Sequence, residues 1–218
     1  MDVVIAGGHG KIGLRLGRLL AERGDRARGL IRTHEQGDDL TAVGVEPVVC
    51  DLEADDDVDA AVDGADAVVF AAGAGAGSEP ERKWTMDYGG AAKLIAAAQE
   101  KGVPRYVIVS SMGAGNPPSG DDTFSIYLQA KAKADRELQD SGLEWTIVRP
   151  GRLTDDPGTG RIEAGPSVQR GQIPRDDVAA TLLAVLDHPN AVGVVFEEVT
   201  GETPIEEAVA ALHETADE

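Results

Sequence analysis

Tyr127 and Lys131 stand four residues apart in a stretch with helical period, residues 124–140. That spacing sets both side chains on one face of a helix. A phenol is a poor acid or base at neutral pH, with a reference pKa of about 10. An ammonium beside it favours the phenolate and brings proton transfer toward the working range. Upstream, Ser110 and Ser111 end an apolar run, and a serine hydroxyl facing such a phenol can orient a carbonyl or an alcohol. The three groups together suit proton transfer at a carbonyl or alcohol oxygen. The chain has three tyrosines and six lysines, so a solvated lysine beside a half-buried tyrosine is the plain alternative for the pair alone. Its place, one helix after a strand ending in serines, gives the pair its weight.

A second constellation opens the chain. Val3-Val4-Ile5-Ala6 runs apolar into Gly7-Gly8-His9-Gly10-Lys11-Ile12-Gly13, and Ile12, Leu16, Leu19 and Leu20 follow at helical spacing. This is a strand, a tight turn and a helix. Gly7 allows the turn, Gly10 lets a pyrophosphate approach the backbone, and Gly13 lets the helix lie close to the sheet. The free N–H groups and positive end of that helix then face the phosphates. Chains that prefer NAD place an acidic residue near the end of the second strand, to hold the ribose 2′-OH. Here that place has Arg32-Thr33-His34, and the first acid is Glu35. A guanidinium suits a 2′-phosphate, so NADP(H) is the expected cofactor and NAD(H) the alternative.

The elements that must position these residues alternate. Strands are expected at residues 28–32, 45–50, 67–72, 106–111 and 145–149, with Pro47 suggesting that the third begins after it. Helices are expected around Val58, Ala61 and Val62, over residues 83–101 with Gly102 as the stop, and over 124–140. Alternation of near-continuous apolar strands with helices predicts a Rossmann-type α/β fold, a doubly wound parallel sheet covered on both faces. Residues 1–218 are expected to form a single NAD(P)-binding domain, with 151–218 contributing a substrate-side region. In that region, residues 153–174 hold seven Gly or Pro and no helical period, so an irregular loop is expected. A helix over 178–186 capped by Asp176 or Asp177, a strand over 192–199 and a helix over 205–212 complete the chain. In such sheets ligands sit at the carboxyl ends of the strands, where Gly7, Arg32, Asp51, Ala72-Gly73, Ser111 and Pro150 gather.

Composition narrows the function further. The chain carries 39 acidic against 20 basic residues, a formal net charge of −19. Such a surface repels nucleic acid and anionic membrane, so neither is an expected partner. A moderately acidic cytosolic protein made soluble by its charge is one explanation; the acid-rich Asp55-Asp56-Asp57 and the shortage of lysine favour the other, a salt-rich cytoplasm where self-repulsion is screened. The lone Cys50 excludes an internal disulfide and a cysteine-rich zinc site, and His9, His34, His188 and His213 lack metal-ligand spacing. No metal is expected. Without a membrane-length apolar run or a leader pattern, a soluble cytoplasmic protein is expected, as monomer or homodimer.

The motifs together resemble a known family. Its carriers are the glycine turn, Cys50-Asp51-Leu52, Ala71-Ala72-Gly73, Ser110-Ser111-Met112-Gly113, Tyr127-x-x-x-Lys131 and Thr146-Ile147-Val148-Arg149-Pro150-Gly151. They resemble the atypical short-chain dehydrogenases/reductases, in the compact NmrA-like and biliverdin/flavin reductase-like group often labelled sugar epimerases. The resemblance covers nearly the whole chain. It implies that Gly7, Gly8, His9, Gly10, Lys11, Ile12 and Gly13 hold the cofactor, with Asp51 and Leu52 near adenine and Ala72-Gly73 at the ribose. It further implies Ser111, Tyr127 and Lys131 as catalytic residues, Lys131 also holding the cofactor, and Pro150-Gly151 near the nicotinamide. The departure is the small C-terminal part, because epimerases that hold nucleotide sugars carry a larger substrate domain. Three functions stay open. An NADP(H)-dependent oxidoreductase acting on a small carbonyl or alcohol leads, with a non-catalytic NAD(P)-binding sensor or an epimerase/dehydratase beside it.

Overall fold

The computed structural model describes residues 1–54, 57–75 and 77–212. Asp55 and Asp56 of the acidic run, Ala76 of the run after the fourth strand and His213 lie outside the described residues. The first half is β1 (Asp2–Ala6), α1 (Lys11–Arg23), β2 (Arg26–Ile31), α2 (Gly37–Ala42), β3 (Glu46–Val49), α3 (Val58–Val62) and β4 (Ala67–Phe70). A single turn α4 (Pro80–Arg82) then runs through a π-helical stretch, Lys83–Gly90, into α5 (Ala91–Lys101). β5 (Arg105–Val109), α6 (Thr123–Gln139) and β6 (Glu144–Pro150) follow. The last part holds β7 (Arg152–Thr154), β8 (Arg161–Gly165), β9 (Gln172–Pro174), α7 (Arg175–Asp187), β10 (Val194–Thr200), β11 (Thr203–Pro204) and α8 (Ile205–Ala210).

The main sheet has nine strands in the order β11-β8-β10-β6-β5-β4-β1-β2-β3. From β3 to β10 every pairing is parallel; β8 pairs antiparallel to β10, and β11 antiparallel to β8. The order 3-2-1-4-5-6 is that of a Rossmann sheet. Strand alternation divides the core into two layers. Val3, Ile5, Val69 and Val107 pack with Leu16 and Leu20 of α1 and Val178, Leu182 and Val185 of α7. Val4, Phe70, Tyr106 and Ile108 pack on the other face with Leu94 and Ile95 of α5 and Leu138 of α6. Each aliphatic side chain so buried contributes about 1.5–3 kcal/mol.

Three expectations change. Pro47 lies inside β3, at the edge of the sheet, where β3 pairs only with β2 and a missing N–H costs no ladder bond on the open side. Residues 153–174 are not one irregular loop. β7 and β9 form a small parallel pair, and β8 extends the main sheet. Short strands flanked by Gly and Pro leave too few residues for a periodic signal. Helix α7 also begins earlier than expected, on Pro174, and the Asp177 carboxylate instead accepts hydrogen bonds from Thr159 and Gly160 of the chain before β8.

Candidate functional site

The turn after β1 is built on its glycines. Gly7 has φ +79°, a left-handed backbone that side chains rarely adopt, and the Gly10 N–H closes the turn on the Gly7 carbonyl at 2.8 Å. A Cβ on Gly13 would stand 2.2 Å from that same carbonyl oxygen, and one on Gly8 2.6 Å from Gly29 Cα. Gly8 and Gly13 therefore let α1 and β2 press against the turn, while Gly7, itself packed on the Ala72 backbone, and Gly10 line a cleft.

That cleft is a cavity of about 530 Å³ along the carboxyl ends of the strands. Gly7, His9, Gly10, Lys11 and Ile12 line one side; Ala72 and Gly73 lie beyond β4. Leu30, Cys50, Leu52 and Met86 give it an apolar end. Among the described residues its charged lining is Lys11, Arg32, Arg82 and Arg175, with no Asp or Glu, in a chain whose acids outnumber its bases 39 to 20. This donor set fits a polyanionic dinucleotide with an apolar base. The Arg32 side chain is exposed at the rim, and its backbone N–H donates to Gln36 Oε1 at 2.9 Å. Gln36 also approaches His9 Nδ1 at 3.3 Å, while His9 Nε2 lies 2.7 Å from Asp39 Oδ2. These contacts suit an Nε2–H imidazole that accepts from Gln36 and donates to Asp39.

A second cavity, of about 490 Å³, shares a wall with the first: Ile12, Ala71, Ala72, Gly73, Gly75 and Arg175 line both. Tyr127, Lys131 and Ser110 line the second cavity. Helix α6 aims the pair, starting on Asp122, whose carboxylate accepts from the Phe124 and Ser125 N–H groups at 3.1 Å each. Such a cap contributes about 1 kcal/mol. The Lys131 ammonium is buried; it donates to the Val109 carbonyl at 3.0 Å and pairs with Asp87 Oδ1 at 3.3 Å, outside hydrogen-bond geometry. Burial pushes the ammonium down, but the charge of Asp87, with Tyr127 and Asp135, outweighs it and the net shift is upward. Lys131 thus stays charged. Its Nζ lies 6.0 Å from the centre of the Tyr127 ring, and the Nζ of Lys83 lies 5.7 Å from it. Two ammonium groups therefore flank the phenol.

Behind them, Ser110 donates its hydroxyl hydrogen to Asp135 Oδ2 at 2.9 Å, and Arg149 donates to the same oxygen from Nε and Nη2, at 3.1 and 2.9 Å. Burial raises the Asp135 carboxyl, with Arg149 pulling it back. Ser111 lies past the end of β5, half-buried, its hydroxyl 3.4 Å from the Met112 carbonyl, and lines neither cavity. Asp51, Pro150 and Gly151 line neither cavity either. Asp51 Oδ1 accepts the Glu53 N–H, and Gly151 donates to the Glu198 carbonyl. Lys83, Asp87 and Arg175 are site residues that the motifs did not single out. Asp87 had a signal: it shares a helical face with Ala91, Leu94 and Ala98, an acid on an apolar stripe. Among the described residues no acid, histidine and cysteine cluster could hold a metal, and no helix is long and apolar enough to cross a membrane.

A parallel Rossmann sheet with a glycine turn and a cation-lined cleft at its strand ends defines a dinucleotide-binding protein. The profile of the NAD(P)H-binding family matches residues 7–189, and the chain belongs to that family. It is an atypical short-chain dehydrogenase/reductase. The chain is 40% identical over 214 residues to YhfK of Bacillus subtilis (strain 168), an uncharacterized sugar epimerase, covering 97% of this chain and 100% of the relative. A Bacillus halodurans structure that bears the name of an NAD-dependent epimerase/dehydratase matches with a TM-score of 0.92 at 37% identity, over 97% of this chain and 100% of that one. ChuY, an anaerobillin reductase from Escherichia coli O157:H7, matches at 0.79 and 25% identity, over 93% of this chain and 98% of that one.

Proposed function

We propose that this protein is an NADP(H)-dependent reductase acting on small carbonyl compounds. The observation that carries it is the shared wall. The cavity that fits a dinucleotide shares Ala71, Ala72 and Gly73 with the one that presents Tyr127. Gly7, Gly10, Lys11 and Ile12 would hold the phosphates, Leu52 and Met86 the base, and Arg32 a 2′-phosphate. When bound, the dinucleotide supplies the hydride. Tyr127 donates the proton from its Oη to the oxygen of the reduced carbonyl. Lys131 and Lys83 stabilise the phenolate this leaves, and Asp87 keeps the Lys131 charge in place. Lys131 retains donors for a ribose hydroxyl, since its ammonium has three and the Val109 carbonyl takes one. Ser110 has committed its hydrogen to Asp135, so in this proposal it accepts from the hydroxyl of the alcohol product and does not donate to the substrate carbonyl.

The test begins with a screen of aldehydes, ketones and quinones for net oxidation of NADPH. On a substrate so found, Tyr127→Phe keeps the ring but removes the proton. Turnover should fall by about 10²–10⁴-fold while NADPH binding survives. Turnover at the unaltered rate contradicts the assignment. Tight NADPH binding without net oxidation of any carbonyl favours the epimerase or sensor function instead.

A further inference from the structure

Lys11, the first residue of α1, and Arg175, the first residue of α7, come from distant parts of the chain and both line the first cavity. Their cationic heads converge on one carboxylate. Lys11 Nζ donates to Asp155 Oδ2 at 2.5 Å, and Arg175 Nη1 donates to Asp155 Oδ1 at 2.8 Å. Asp155 belongs to the irregular segment between β7 and β8, is half exposed and lines neither cavity, so it meets the two heads at the rim. Its carboxyl is held below the ordinary range, chiefly by the Lys11 hydrogen bond, so it is charged at neutral pH. The two helices do not depend on it, because they pack directly on one another and Arg15 Nε of α1 separately pairs with Asp176 Oδ1 of α7 at 2.5 Å.

We infer that Lys11 and Arg175 form one anion clamp for the dinucleotide's pyrophosphate, and that Asp155 is a built-in competitor for it. Two cations that meet on a single carboxylate are close enough to meet on one pyrophosphate, and a half-exposed carboxylate at the rim is exchangeable for it. Arg175 lines both cavities, so the clamp stands at their seam. Cofactor binding then releases Asp155, while Thr159 and Gly160 stay hydrogen-bonded to the Asp177 carboxylate. The apparent affinity is reduced by the fraction of molecules in which Asp155 holds the clamp.

This inference rests on the dinucleotide assignment of the first cavity, and the two fail separately. Fluorescence titration with NADPH in dilute buffer measures both. Asp155→Asn removes the competing charge, so NADPH should bind about three- to tenfold more tightly, as expected for two exposed ion pairs. Arg175→Gln should weaken binding by about fivefold or more, and in that background Asp155→Asn should lose most of its effect. A scaffold role for Asp155 gives the opposite sign, since losing it would then loosen binding. An unaltered protein that binds NADPH, with Asp155→Asn equal or weaker, overturns the inference alone. An unaltered protein that binds neither NADPH nor NADH overturns the dinucleotide assignment and this inference with it. Equal melting temperatures for the three variants and the parent exclude a folding defect as the cause.

Discussion

Glu198 on β10 is fully buried, with its Cα opposite Pro150, and neither carboxylate oxygen has a hydrogen-bond partner among the described residues. Burial raises its carboxyl from 4.5 to about 8; the nearby Thr181 hydroxyl pulls the other way, and the Asp177 charge adds to the rise. The folded state therefore holds this proton more tightly than the unfolded chain. The contribution to stability is present below about pH 4.5 and is lost as pH rises toward 8, amounting to about 2–5 kcal/mol. Glu198→Gln keeps the shape and cannot ionise. Its stability relative to the parent, from urea melts, should climb between pH 5 and 8.5; a difference that stays constant with pH contradicts the buried neutral acid. Charged residues on apolar faces were also the legible part of the site's inner wall. Lys131 and Asp135 share the buried stripe of α6 with Leu128 and Leu138, a placement that costs stability unless partners wait inside. The partners themselves, Asp87 and Arg149, lie on other elements, and no local pattern joins them.

Elements with a clear period were readable to within a few residues. The β1 turn and α1 follow from three glycines and the leucines after them, and the buried strands β4, β5 and β6 from continuous apolar runs. What local patterns missed depends on distant pairing. The π-helical stretch Lys83–Gly90 reads as ordinary helix from its residues, yet it brings Lys83 and Asp87 to the second cavity. The strands β7, β8 and β9 exist because β10 and one another offer edges to pair with. Past the end of β5, Ser110 hydrogen-bonds Asp135 and lines the second cavity, while Ser111, one residue on, lines neither cavity.

At the scale of the whole molecule, the charge of −19 has two consequences. The exposed ion pairs are local and worth about 0–1 kcal/mol each, whereas the uncompensated acids repel one another across the whole surface. Screening should relieve more repulsion than attraction, so the melting temperature should rise from dilute buffer to molar KCl; a flat or falling curve contradicts this balance. Within this acidic surface the cleft gathers cations, and although Asp155 pairs with Lys11 and Arg175 and Glu53 with Arg82, their donors favour an anionic ligand there over the acidic surround. Cofactor choice tests that claim most directly. NADPH and NADH are titrated by fluorescence against the unaltered protein and Arg32→Ala. A charge-assisted contact to the 2′-phosphate is worth about 1.5–3 kcal/mol, so the unaltered protein should prefer NADPH by about tenfold or more. Arg32→Ala should erase that preference while leaving NADH binding nearly unchanged. Equal affinities for the two cofactors in the unaltered protein would contradict the account.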